Sequence, residues 1–215
     1  MSGVSVIRGR FIALEGGEGV GKSTQARLLA DALRARGLEV VTTREPGGTP
    51  GAEAIRALLL SNEGDGWGTR AEALLFAAAR ADHVEKLIAP ALARGAWVVC
   101  DRFIDSSRAY QGGGGGLSDA EVMTLHAIGS GGLMPDRTLV LTVAPEMAAQ
   151  RLALRDGDVA DRIGGRGSDY HAKVAAAFLA CASADPDRSA VIAAEGDPSV
   201  VHGGIMAALA DLLPS

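Results

Sequence analysis

Lysine is nearly missing from this chain. Only Lys22, Lys86 and Lys173 occur among 21 basic residues, and every other cation is an arginine, whose planar fork suits bidentate phosphate contacts. A coding bias that also enriches Ala and Gly explains the same scarcity, so position must decide what the arginines mean. Cysteine is scarcer still. Cys100 and Cys181 exclude a disulfide framework and a cysteine-rich metal cluster, and read as buried thiols. A basic surplus is absent too: 26 acidic against 21 basic residues leave a formal charge of −5, without the general field that draws in nucleic acid. No apolar stretch is long enough to span a bilayer, and Met1 to Arg10 lacks the apolar centre of a signal peptide. The expectation is a soluble cytoplasmic protein with neither membrane nor nucleic-acid partner. With no repeat and no linker, 215 residues at 47% hydrophobic content read as one domain over 1–215.

What is present begins at residue 16. Gly16-Gly17-Glu18-Gly19-Val20-Gly21-Lys22-Ser23 is a complete G-x-x-x-x-G-K-[ST], placed between the apolar run Phe11–Glu15 and a helical pattern. Glycines let backbone amides approach phosphates, and the following helix N-terminus adds positive potential. Lys22 is expected at the β and γ phosphates of a nucleoside triphosphate and the Ser23 hydroxyl on Mg²⁺. A glycine-rich turn alone would not require a strand before it and a helix after it.

Apolar, β-prone runs recur at Phe11–Glu15, Leu38–Thr43, Ala96–Asp101, Thr138–Val143 and Ser189–Ala193, with helical periodicity between them. This alternation predicts an α/β protein with a five-stranded parallel sheet flanked by helices in three layers, and the Gly16–Ser23 motif after its first strand makes it of the P-loop NTPase type. Ala26, Leu29, Ala30 and Leu33 mark the buried face of the first helix, and Gly37 stands where a left-handed residue would end it. Thr69 with Glu72 and Ser118 with Glu121 are spaced as capping boxes, and Pro90 should bend or restart the helix between them. Gly112–Gly116 reads as a mobile loop. The polar segment Asp156–Ser168, with Arg155, Arg162 and Arg166 along it, reads as a lid at about 156–168.

In an open parallel sheet, ligands sit at the carboxyl ends of the strands. Asp101 and Arg102 end the third strand, so Asp101 is placed to orient Mg²⁺ and Arg102 to fork onto a phosphoryl oxygen. A surface Asp-Arg pair has the same composition, but not this placement. Thr43-Arg44-Glu45-Pro46-Gly47-Gly48-Thr49 follows the second strand, where Pro-Gly-Gly also makes an ordinary turn. Phe76 and Arg80 lie one helical turn apart, suited to stacking on a base and donating to it, or equally to a core position and a solvated charge.

Together and in this order, these blocks resemble the thymidylate kinase family. The resemblance runs through Phe11 to Thr24, Thr43 to Thr49, Leu75-Phe76-Ala77-Ala78-Ala79-Arg80, Asp101-Arg102-Phe103-Ile104-Asp105-Ser106-Ser107 to Tyr110-Gln111-Gly112, and Pro135-Asp136 with Pro145-Glu146. It implies transfer of a phosphoryl group from ATP to dTMP, giving dTDP and ADP, with Mg²⁺, in a homodimer. It assigns ATP to Gly16, Gly17, Glu18, Gly19, Val20, Gly21, Lys22, Ser23 and Thr24, and the metal to Ser23 and Asp101. Arg56 and Arg102 would hold the dTMP phosphate, with Glu45 orienting the arginines. Phe76 would stack on thymine, Arg80 would donate to O4, Ser106 and Ser107 would contact the base edge, and Tyr110 with Gln111 would close the sugar side. Lys22, Arg102, Arg162 and Glu18 are the catalytic set. Arg162 is included because this P-loop holds no basic residue before Lys22, and the lid must then supply the charge clamp. Glu18 would accept from the 3′-hydroxyl.

Some positions depart from the family pattern: Gly164-Gly165 replaces the acidic residue after the lid triplet, and Thr142 an acidic or amide residue late in the fourth strand. Gly116 stands near a position that is often basic. Two alternatives stay open. One is another P-loop nucleotide or deoxynucleoside kinase, against which Arg80 and Tyr110-Gln111 argue. The other is a non-enzymatic nucleotide switch, against which no Asn-Lys-x-Asp guanine-reading motif is found.

Overall fold

The computed structural model describes residues 8–156 and 162–214. Five parallel strands form one sheet in the order β2-β3-β1-β4-β5: β1 Phe11–Glu15, β2 Val40–Arg44, β3 Trp97–Asp101, β4 Arg137–Thr142 and β5 Ser189–Ala193. The chain belongs to the P-loop NTPase fold expected from the alternation. β1 is central and buried at all five residues, which is why it reads as an unbroken apolar run ending in a single acid. The edge strands β2 and β5 alternate in burial instead.

The pleat divides the core. Ile12 and Leu14 face one side, where α1 (Lys22–Ala35) and α9 (Pro198–Ala208) bring Leu29, Leu33 and Ile205. Phe11 and Ala13 face the other, against Ile88, Leu92, Phe103 and Val122. Each such fully buried aliphatic side chain contributes about 1.5–3 kcal/mol. At the end of α1 the backbone of Gly37 (φ 79) donates to Arg34 O at 2.9 Å and Leu38 N to Leu33 O at 3.3 Å. The expected glycine stop is therefore formed.

The second face carries α2 (Pro50–Leu60), α3 (Thr69–His83), a π-helical turn Val84–Ile88, α4 (Ala89–Ala93), α5 (Ile104–Ser107), a second π-helical turn Arg108–Gly114, and α6 (Asp119–Ser130). α7 (Pro145–Asp156) and α8 (Ser168–Ala184) complete the set. Pro90 lies in the first turn of α4, so the long helix is restarted as expected.

Three expectations are corrected. Ser118 and Glu121 form a reciprocal capping box, but the Thr69–Glu72 pair does not. Gly68 is the residue before α3, and the Glu72 carboxylate is taken by Gln111 and Arg166. Gly112–Gly116 is not a loop over most of its length. Gly112 to Gly114 continue the second π-helical turn, which packs against α8, and a Cβ on Gly113 would lie 2.5 Å from that of Ala177. The glycines serve a close approach between segments. Finally, β2 starts at Val40, because Gly37 and Leu38 are used in ending α1. Of the expected lid, residues 157–161 lie outside the described residues. Among the described residues no helix is long and apolar enough to cross a membrane.

Candidate active site

At the carboxyl end of β1 the chain turns into α1 through Gly16–Gly21. Gly19 has φ 72 and Gly21 φ 95, and a Cβ on Gly19 would sit 2.6 Å from Ala148 O, so these turns need glycine. No side chain caps α1: Gly21 occupies the cap position, which leaves the first amides for an anion. Lys22 folds back to donate to Gly17 O at 2.6 Å and is buried. Burial, then the charge of Arg102, brings its ammonium down to about 8. Ser23 Oγ donates to Asp101 Oδ2 at 2.6 Å, joining the P-loop to the end of β3.

Arg102 is the one non-glycine residue among those described with a left-handed backbone, φ 73. Non-glycine residues occupy that region rarely, and here surrounding bonds fix it. Its Nη1 donates to Gly16 O at 2.9 Å and Ser106 Oγ at 3.2 Å, and its Nη2 to Glu18 Oε1 at 2.5 Å and Tyr110 Oη at 3.2 Å. The guanidinium also lies over the Tyr110 ring. Behind it Glu15, fully buried, accepts from Phe103 N at 2.8 Å, Ser106 N at 3.1 Å and Ser106 Oγ at 2.6 Å. Burial, with the nearby Asp105 charge, pushes the Glu15 carboxyl up to about 7. Glu15 thus holds the corner that aims Arg102, a role its place in an apolar strand did not disclose.

Two clefts open on this corner. The larger, about 480 Å³, is lined by Glu18, Gly19 and Gly21 to Thr24 of the P-loop, with Asp101, Arg102 and Arg151 among others, while Val20 is turned into the apolar core. The smaller, about 80 Å³, is lined by Phe76, Ser106, Ser107, Tyr110, Gln111 and Ile163. Glu18, Glu45, Arg56 and Arg102 line both, so the clefts share one charged wall. Arg56 reaches this wall from α2, with Nη1 donating to Pro46 O at 2.8 Å.

Arg80 stands behind the smaller cleft and is not part of its lining. It is 3% exposed, and its Nε donates to Glu45 Oε2 at 2.7 Å, while Nη2 donates to Phe103 O at 3.1 Å and Ser107 Oγ at 2.9 Å. Glu45 therefore orients Arg80 and not the other two arginines. His83, fully buried, bridges Glu45 Oε1 at 3.0 Å and Thr43 Oγ1 at 2.7 Å, tying the end of β2 to α3. Phe76, half-buried, lines the cleft one turn away, so its expected spacing from Arg80 does place both on the same side of α3.

Arg162 is not brought to the P-loop in this conformation. Its Nε donates to Ser61 O at 2.6 Å and its Nη2 to Glu63 O at 2.6 Å, so the guanidinium gathers carbonyls of the turn that follows α2. Arg151 on α7 does line the P-loop cleft, beside Gly21, and its Nη2 donates to Ala194 O at 3.1 Å. Sequence reasoning missed Arg151, as it missed His83. Periodicity in α7 and α3 shows which residues share a face, not which of those faces a cleft.

Comparison with known proteins bears on the same residues. The thymidylate kinase family model matches residues 14–205. A thymidylate kinase of Rhizorhabdus wittichii is 59% identical over 96% of this chain and 99% of its own. The chain belongs to the thymidylate kinase family. A family member from Chromohalobacter salexigens is 51% identical over 96% of this chain and 98% of its own. The crystal structure of thymidylate kinase from Ehrlichia chaffeensis superposes with a TM-score of 0.76 at 32% identity, covering 94% of this chain and 99% of that one. Membership spans the sheet, both clefts and the segment carrying Arg162.

Proposed function

We propose that this chain moves the γ-phosphoryl group of ATP onto dTMP, giving dTDP and ADP. One observation carries the reading: two clefts, one over a P-loop and one beside Phe76, meet at a wall made by Glu18, Glu45, Arg56 and Arg102. Two phosphate groups held along such a shared wall, one from each cleft, meet where the clefts join. A dTMP phosphate oxygen can then attack the γ-phosphorus in line while the bridging oxygen leaves on ADP. Catalysis is positioning and charge neutralisation, with no covalent enzyme intermediate.

Gly16 to Thr24 would cradle the donor, with Lys22 leaving Gly17 O for the β and γ phosphates. Arg151 lines the same cleft. The hard oxygens of Ser23 and Asp101, 2.6 Å apart, fit Mg²⁺, which accepts few protein ligands and takes the remainder from phosphates and water. Bound there, the ion would neutralise phosphate charge. Arg56 and Arg102 would hold the acceptor phosphate, Phe76 would stack on the base, and Glu18 would accept from the 3′-hydroxyl. Tyr110 and Gln111 would close the sugar side, leaving little room for a 2′-hydroxyl. Ser106 and Ser107 would meet the base edge, with Arg80 acting on O4 from behind Ser107.

A coupled ADP-release assay with Mg·ATP tests this across dTMP, dCMP, dUMP and AMP. Cytosine offers an amino donor where thymine offers O4, so Arg80 and Ser107 lose an acceptor at a cost of about 1–3 kcal/mol, or roughly 5- to 150-fold. The expected result is dTMP well ahead of all three, and a preference for any other acceptor overturns the assignment. Arg162 would reach the donor only by releasing Ser61 O and Glu63 O. In the same assay, lower turnover of Arg162→Ala at unchanged dTMP affinity identifies it as the clamp, and unchanged turnover leaves it an anchor.

The proposal extends to a single kinase domain working as a homodimer in the cytoplasm. Cys100 and Cys181 are free and buried, which suits a reducing compartment. α3 and α6 form an apolar groove through Ala73, Leu74, Leu117, Ala120 and Leu125, and Leu74 and Ile128 are 56% and 79% exposed beside it. A second copy would cover them, and a sedimentation mass of one chain would refute that.

A further inference from the structure

One buried carboxylate reaches the acceptor cleft's wall from behind without lining it. Glu72, in the first turn of α3, is 3% exposed, and both its oxygens are engaged. Oε1 accepts from Gln111 Nε2 at 2.9 Å, and Oε2 accepts from Arg166 Nη2. Arg166 Nη1 donates to Tyr170 Oη at 2.5 Å, with the guanidinium over the same ring. Tyr170 Oη in turn donates to Tyr110 O at 2.9 Å. The bonds therefore run from the side chain of Gln111 through Glu72, Arg166 and Tyr170 to the backbone of Tyr110. Those two neighbours line the cleft.

This circuit answers two structural needs. Tyr110 and Gln111 sit on a π-helical turn, a less favourable helix form, and it continues into Gly112, Gly113 and Gly114, which have no side chains to pin it. Its position must come from outside contacts, and α8 and Glu72 supply them. The second need concerns the Gln111 amide. A carboxylate only accepts, so the NH₂ end must face Glu72, and the carbonyl end is left for an occupant of the cleft. Glu72 thus sets the hydrogen-bonding polarity of a wall it does not form.

We propose that Glu72 is a positioning residue of the acceptor pocket, fixing the Gln111 amide directly and the Tyr110 backbone through Arg166 and Tyr170. The inference rests on the reading of the smaller cleft as the dTMP site. Glu72→Gln keeps size and one acceptor oxygen but loses the ion pair with Arg166 and permits the opposite amide orientation. Loss of a charge-assisted bond of this kind corresponds to about a tenfold effect on affinity. The expected result is a dTMP KM raised about tenfold, with the ATP KM and kcat each within about twofold of wild type.

Tyr170→Phe removes one hydroxyl and is the second arm should Glu72→Gln fail to fold by circular dichroism. It is expected to raise the dTMP KM severalfold with the same selectivity. Equal increases in both KM values would show general loosening and overturn the proposal, as would an unchanged dTMP KM in a folded variant. Titrating dTMP into nucleotide-free protein separates the two layers of argument. Wild type and Glu72→Gln binding dTMP equally well sinks this inference alone, whereas wild type that does not bind dTMP sinks the reading beneath it.

Discussion

Replacing Lys22 with methionine is expected to lower kcat about 10²- to 10³-fold, on the scale of removing one preorganised donor from a developing charge. Methionine keeps the length and apolar stem of the side chain, so the buried position stays filled. What disappears is the ammonium that now rests on Gly17 O. The same residue has a pH signature. A lysine is charged below its pKa, and burial together with Arg102 has brought Lys22 down to about 8. Its charge is therefore present at neutral pH and lost as pH rises through that value. Since kcat/KM reports the free enzyme, kcat/KM for ATP should fall above about pH 8. kcat at saturating ATP should fall less, because bound phosphates restore the charge. Initial rates from pH 6 to 10 check both statements, and the methionine variant should lack that alkaline limb. Wild-type turnover in Lys22→Met would contradict the placement of donor phosphates on this loop.

The second large effect belongs to Arg102. Four hydrogen bonds tie it to Gly16 O, Ser106, Glu18 and Tyr110, and it lies in the wall common to both clefts. Arg102→Met takes away the guanidinium that meets the Glu18 carboxylate at 2.5 Å in a partly buried wall. The expected result is a fall of about 10²- to 10³-fold in kcat/KM for dTMP, with a lower Tm. Arg102→Lys should recover little of it, because one ammonium cannot span partners that a planar fork meets with two nitrogens. Rates within a few-fold of wild type for folded Arg102→Met would remove Arg102 from the phosphate wall.

The elements nearest the chemistry were the most legible in the sequence. β1 is an unbroken apolar run because it is covered on both faces, and the P-loop glycines are unmistakable because their backbone turns exclude other residues. Strand-end logic then placed Asp101 and Arg102 correctly at the crevice. What periodicity could not supply was the partner across the fold. Glu72 has capping-box spacing from Thr69, yet its carboxylate is drawn into the interior by Gln111 and Arg166, 39 and 94 residues away in sequence. The glycine run at 112–116 looked like a loop because close packing against α8 leaves no mark in the run itself. Arg162 carries the family pattern but rests on the carbonyls of Ser61 and Glu63 just past α2, about 100 residues away in sequence, which no local pattern shows. Arg151, Glu15 and His83 act through bonds to distant backbone or buried side chains, which no local pattern announces.

The central claim is that one charged wall, common to both clefts, brings a donor phosphate tail and an acceptor phosphate together. Its most direct test is equilibrium binding of adenosine and thymidine joined 5′ to 5′ by a polyphosphate bridge. If the two cradles meet beside Arg102 and Glu18, this compound binds once per chain, more tightly than either nucleotide, and competes with both ATP and dTMP. Competition with one nucleotide only, or two molecules bound per chain, would contradict the account.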